Sequence, residues 1–233
     1  MRHAIDFNSS RWSQYFQSRK NKPIDGLFGL TSRPNFSTEE TRVIPLLYQG
    51  EKSEGGMGLA LASSTNDLDY GQSLEGYAKE EYYHGVLLDK LLKYFEVKIT
   101  EDNKVISLLV WLVNFGPLMF RILMLLTGEI VVIPVYRNIK KGTKDQVIRN
   151  VVTQILSDEY GHVKFHEDSV YAKYRESGIL GKVLYRIGFE FGFWLFTVTL
   201  WWVFRKLFKH YDGSGFLTFI NNCWNVRSAT SRI

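Results

Sequence analysis

Apolar positions recur at three- and four-residue steps along most of this chain and almost nowhere alternate, so the pattern predicts an all-α fold. From about Gln72 to Tyr94, the residues Leu74, Tyr77, Glu81, His84, Leu88 and Leu91 form one stripe of a helix. Upstream, Ser37-Thr38-Glu39-Glu40 reads as a capping box opening a helix that runs to about Ser64. Pro45 and the run Gly55-Gly56-Met57-Gly58 make this the weakest of the predicted helices. Residues 95–104 are polar and predict a connection. The apolar stretch Val105–Tyr136 splits at Gly116-Pro117 into a crossover helix and a second long helix, and another starts near Thr143 or Lys144 and runs to about Glu176. Gly178 and Gly181 predict a break, followed by an apolar, aromatic segment over Ile187–Phe204 and a polar tail from Tyr211. Residues 1–36, with Pro23, Gly26, Gly29 and Pro34, predict an irregular leader carrying one short helix around Arg11–Arg19. The expected organisation is therefore a leader (1–36), a helical bundle (37–177) and a C-terminal apolar helix with its tail (178–233).

Composition narrows the function classes. The 233 residues suit one substantial domain, and 45% hydrophobic content supports a packed core. The net charge of +5 is spread along the chain without a basic-aromatic stripe, so no nucleic-acid partner is expected. The single cysteine, Cys223, excludes an intrachain disulfide and cysteine-based metal sites and fits a reducing compartment. The N-terminal residues have no apolar h-region, which predicts a cytoplasmic location.

The chemistry lies in a repeat. Glu80-Glu81-Tyr82-Tyr83-His84 and Asp158-Glu159-Tyr160-Gly161-His162 each contain Glu-x-x-His, which puts a carboxylate and an imidazole on one face of a helix. Each is preceded at the same distance by Gly-Glu: Glu51 lies 30 residues before Glu81, and Glu129 lies 30 before Glu159. Such a spacing suits two antiparallel helices joined by a short loop, so paired carboxylates meet at one depth. Charge runs are usually solvated, but these acids are in phase with Leu74, Leu88, Ile155 and Val163 and are predicted to be buried with them. A metal would remove the cost of burying them. Glu54, one turn after Glu51, competes with it as the first ligand; the repeat selects Glu51.

The order Glu, Glu-x-x-His, Glu, Glu-x-x-His over residues 40–175 resembles the ferritin-like di-iron carboxylate superfamily. The resemblance implies a ferritin-like four-helix bundle with a crossover connection and an additional C-terminal helix. It implies Glu51 and Glu129 as terminal ligands, Glu81 and Glu159 as bridging ligands, and His84 and His162 as ligands of one iron each. It also implies Asp158 as the outer partner of His84 and Glu80 as that of His162. His166, one turn beyond His162, is expected at the surface. Two iron ions fit four carboxylates and two imidazoles, and manganese or a mixed pair fits the same donors.

Within that superfamily the lone cysteine excludes a rubrerythrin carrying its own rubredoxin module. Length disfavours a ribonucleotide reductase subunit, and the leader and apolar C-terminal segment disfavour a storage ferritin. Residues 158–165 are similar to the last-helix motif of aldehyde-deformylating oxygenases, a likeness too short to assign a substrate. The expected function is an O2-dependent di-iron oxidase or oxygenase acting on an apolar, lipid-like substrate, with electrons from a ferredoxin or reductase. Alternatives are a ferroxidase or peroxide scavenger, and a non-catalytic helical interaction protein. An organic substrate requires an apolar channel to the metals; a ferroxidase requires a polar, acidic route. The segment 187–204 carries only Glu190 among its charges and is followed by Arg205, Lys206 and Lys209. It is expected to pack on the bundle, with peripheral membrane contact, homodimer formation or a true membrane span as the alternatives.

Overall fold

A computed structural model of the chain describes residues 8–19, 28, 35–98, 102–114, 116–213 and 215–230. Among these the fold is all-helical, with α1 (Ser9–Ser18), α2 (Thr38–Ala62), α3 (Leu68–Tyr94), α4 (Lys104–Asn114), α5 (Leu118–Gly142), α6 (Gln146–Glu176), α7 (Ile179–Asp212) and α8 (Phe216–Thr230). The predicted irregular course of residues 20–27 and 29–34 lies outside the described residues.

Ser37 caps α2 in the expected capping box with Glu40, and α3 and α6 start on Asp67 and Asp145, whose carboxylates accept from first-turn amides. The glycines that weaken α2 locally are what lets it sit close to α3. A Cβ at Gly58 would stand 2.8 Å from the Ala78 Cβ, and one at Gly55 would stand 3.3 Å from the Ala78 carbonyl oxygen. Gly55 therefore lies at Ala78 and Tyr82, and Ala62 lies at Gly71, so the two helices run antiparallel. Pro45 is accommodated without ending the helix.

α5 is apolar on nearly every side and occupies the centre, touching α4, α6, α7 and α8. It is long and apolar enough to cross a membrane, but 72% of its most apolar window is buried in the protein. α7 passes the same test with only 33% of its window buried. It begins well before Ile187 and continues well past Phe204, because Gly178 caps it and Gly181 stays helical within it. One of its faces packs on α5, where a Cβ at Gly192 would strike Met124 and Thr127. The segment expected to be a polar tail instead forms α8, which buries Phe219, Cys223 and Val226.

α1 is also more than a leader. It seats Trp12 and Phe16 against α3 and α6, and two glycines make the seat. A Cβ at Gly76 would run into the Phe16 side chain, and one at Gly161 would run into the Tyr15 hydroxyl. Gly161 is the residue just before His162, so α1 lies directly over a Glu-x-x-His turn.

Candidate metal centre

The six residues singled out by the repeat are brought together, all within the core: Glu51 on α2, Glu81 and His84 on α3, Glu129 on α5, and Glu159 and His162 on α6. Ligand atoms of Glu81, His84, Glu159 and His162 all lie within 4.8 Å of one another, a group that can hold a metal ion. His84 Nδ1 faces Glu51 Oε2 at 3.2 Å, Glu159 Oε1 at 3.3 Å and Glu81 Oε2 at 3.7 Å. His162 Nδ1 faces Glu81 Oε1 at 2.6 Å, Glu129 Oε1 at 3.8 Å and Glu159 Oε2 at 3.9 Å. Glu81 and Glu159 thus each turn one oxygen toward each histidine.

Glu51 and Glu54 are not alternatives. Glu51 lies on the His84 side, whereas Glu54 forms a second close group with Glu81 and Glu129. Glu54 is the less enclosed of the two, half-buried where Glu51 is buried, and both line one cavity. Burial, reinforced by Glu81, Glu51 and Glu159, pushes the Glu54 carboxyl well above the usual carboxylate range. Burial and Glu159 do the same to Glu129.

The outer nitrogens are held as symmetrically as the inner ones. His84 Nε2 lies 3.1 Å from Asp158 Oδ2, and His162 Nε2 lies 3.1 Å from Glu80 Oε2. These partners point each Nδ1 inward. Burial disfavours both imidazolium ions, yet the surrounding carboxylates outweigh it. They hold His84 well above its ordinary pKa and push His162 up to about 10. Two buried tyrosines donate to the remaining acids, Tyr77 to Glu129 Oε1 at 3.0 Å and Tyr136 to Glu51 Oε1.

His166 is not at the surface: it is fully buried, with the Tyr77 ring edge-on at 4.6 Å. The reason is periodicity, since a residue four beyond His162 falls on the same inward face. Neither of its ring nitrogens has a hydrogen-bond partner among the described residues. Burial, with His162 nearby, lowers its pKa to about 3.

Arg19, just past α1, escaped the sequence reading. Its guanidinium donates to Glu80 Oε1 at 3.1 Å and to Asp158 Oδ1, tying together the two acids that orient the two histidines. Its partners are 61 and 139 residues away, so no local pattern marks it. Removing it leaves two enclosed carboxylates short of a counter-charge. Arg19→Met is expected to destabilise the metal-free protein by about 2–3 kcal/mol in urea unfolding, less than for a fully enclosed pair because its side chain is 27% exposed. Arg19→Lys is expected to recover only part of this, because an ammonium cannot fork across both acids. An unchanged unfolding midpoint in Arg19→Met would show that the clamp carries no stability.

The donor set passes a test of fit to a metal. Glu81 Oε1 and Oε2, Glu129 Oε2, Glu159 Oε1 and His162 Nδ1 are buried without a hydrogen bond, although Glu81 Oε1 and His162 Nδ1 are only 2.6 Å apart. Native interiors rarely leave so many polar atoms unsatisfied in one place, and atoms converging on a shared cation would be left this way.

A cavity of about 70 Å3 adjoins the cluster. Glu51 and Glu54 stand at one side of it; the rest of its wall is apolar apart from Gly50 and Gly128, including Ile106, Leu109 and Val113 of α4 and Phe196 and Leu200 of α7. No family model, curated protein or solved structure matches this chain.

Proposed function

We propose that this protein is an O2-dependent di-iron oxidase or oxygenase of the ferritin-like type, acting on an apolar substrate. In this reading α2, α3, α5 and α6 are the four-helix bundle and α4 is its crossover. Glu51, Glu81, His84, Glu129, Glu159 and His162 would together hold the two ions. Iron suits a donor set of carboxylates with two imidazoles. Two ferrous ions would supply the electrons for O2 reduction, with an external reductase or ferredoxin restoring them.

The chain's own residues do the rest. Asp158 and Glu80 keep the histidine Nδ1 atoms inward, and Arg19 keeps Asp158 and Glu80 in place. Tyr77 and Tyr136 orient the outer carboxylates by donating hydrogen bonds. Glu54 stands at the cavity side of the cluster, next to where an apolar molecule in the cavity would sit.

The observation that carries the choice of reaction is the cavity. Its wall is apolar up to the carboxylates, which suits a slender apolar molecule and does not suit the hydrated ferrous ion that a ferroxidase must admit. The test is metal analysis of anaerobically purified protein, followed by its optical spectrum on adding ferrous iron and then O2. About two irons per chain, with near-ultraviolet absorption developing after O2, is the expected result. Val110→Phe, which fills the cavity from α4, is then expected to keep the iron and the O2 response but lose turnover of apolar substrates. Less than half an iron per chain and no spectral change would remove the reading.

A further inference from the structure

We infer that α7 docks this protein on an anionic lipid bilayer, lying in the plane of the membrane surface rather than crossing it. Leu184, Ile187, Phe191, Trp194, Val198 and Trp202 follow one another at three- and four-residue steps on the outer face of α7, each 42–60% exposed. A stripe of this size on a water-facing helix needs a partner. An open apolar groove of about 640 Å3 runs beside its first half, between Gly116-Pro117 at the α4–α5 turn and Leu184, Ile187 and Phe191. Such a groove has room for part of an acyl chain.

Charge decides which partner fits. Between Ile179 and His210 the helix carries Lys182, Arg186, Arg205, Lys206 and Lys209 against one acid, Glu190. Both Glu190 oxygens accept from Arg227 of α8, so that acid is already neutralised. Lys182 and Arg186 turn away from the stripe and stack on Tyr174 of α6, whereas Arg205 and Lys209 continue it past Trp202 at three- and four-residue steps, so the stripe ends in cations at its C-terminal end. A second copy of this face offers those cations no acid but Glu190, which Arg227 already occupies. An anionic headgroup layer meets them together with the apolar stripe, and Arg205, stacked at 5.1 Å on Trp202, pairs a cation with an interfacial aromatic. Crossing the bilayer would strip the opposite face from α5, where Phe189, Phe193 and Phe204 are buried.

The consequence for substrate rests on the oxidase reading; the docking itself does not. Phe196 and Leu200, on the buried side of the same helix, line the cavity beside Glu51 and Glu54. An apolar molecule dissolved in the bilayer would have about the width of one helix, roughly 10 Å, to travel.

The test is flotation of the full chain with phosphatidylcholine vesicles, with and without phosphatidylglycerol, at low and high salt. Binding that requires phosphatidylglycerol and weakens in salt is expected, with tryptophan emission shifting to the blue and brominated lipid quenching it. Lys206→Gln and Lys209→Gln are each expected to weaken binding roughly fivefold. Trp194→Glu is expected to abolish flotation while leaving the melting curve and metal content unchanged. A chain that is dimeric by light scattering and ignores vesicles would overturn the inference. So would a chain that resists alkaline carbonate extraction, or a Trp194→Glu variant that still floats. The same assay on metal-free protein separates the two readings. Flotation without any metal binding would leave the docking and remove the oxidase, and metal binding without flotation would do the reverse.

Discussion

Glu129→Gln is expected to melt above the wild type when both are free of metal, and below it when metal is present. Glu129 is almost fully buried among Glu54, Glu81 and Glu159, and its Oε2 has no hydrogen-bond partner. Glutamine keeps an oxygen to accept from Tyr77 and replaces a carboxyl that must either take up a proton or bear a charge in a crowded acidic cluster. Removing that ionisation cost is expected to stabilise the metal-free protein by about 1–2 kcal/mol, or about 2–8 °C in a domain of this size. The same change removes one of the proposed ligands, so metal content is expected to fall to about one ion per chain or less. Metal at about a hundred times its Kd stabilises the wild type by about 2.7 kcal/mol and the variant by far less. Calorimetry in chelator and in excess metal reads both orders. A variant that melts lower in both conditions would mean that Glu129 is a structural acid and that the cluster is held by its own ion pairs.

The inversion is informative because the cluster combines two opposed properties. As a metal-free object it is costly, with five glutamates gathered around two histidines and several polar atoms unsatisfied. The two histidines, held well above their usual pKa, offset part of that charge. A sequence that keeps such an arrangement at the centre of an apolar core keeps a local conflict, and local conflicts of this kind concentrate at functional sites.

Periodicity explains which parts of this were legible beforehand. Glu81, His84, Glu159 and His162 lie in phase with the apolar stripes of their helices, and burial of the stripe carries them inward. The equal 30-residue spacings bring Glu51 and Glu129 to the same depth, and the acids preceding each Glu-x-x-His fall beside the opposite histidine. The same rule, applied one turn further, places His166 inside, so the expectation of a surface histidine there failed for want of following the stripe. Glu54 was legible only as a rival to Glu51, because spacing cannot say that two acids one turn apart will face different neighbours. Arg19 was not legible at all. Its role depends on α1 folding back over Gly76 and Gly161, a long-range packing event that leaves no local signature. The lengths of α7 and the existence of α8 were missed because Gly181 was read as a breaker, and because polar residues between the aromatics hid a helix that buries only one side.

The second large effect is a pH dependence of stability that metal binding opposes. In the metal-free protein His162 titrates near 10 and His84 well above its ordinary value, while Glu129 and Glu54 are raised well above the carboxylate range. Each of these groups holds more protons folded than unfolded, so its stabilisation is complete below the unfolded pKa and is lost as pH climbs toward the folded one. For the carboxyls that loss begins above about 4.5, and for the histidines above about 6.5. His166 works the other way: its folded pKa near 3 makes stability rise between about pH 3 and 6.5 and leaves it flat beyond. Metal-free stability should therefore decline from about pH 6.5 to about 10, with His162 contributing on the order of 3–5 kcal/mol of the loss. Metal binding requires the same groups deprotonated and displaces their protons, so the affinity of the site rises over the same range. The gap between melting temperatures with and without metal should widen steadily from about pH 6 to about pH 9. A metal-free melting temperature that climbs across that window would mean that the histidines are already neutral in the folded protein. The carboxylates would then face one another without the protons that hold the empty site together, and the cluster would need some other source of cohesion than the one its geometry provides.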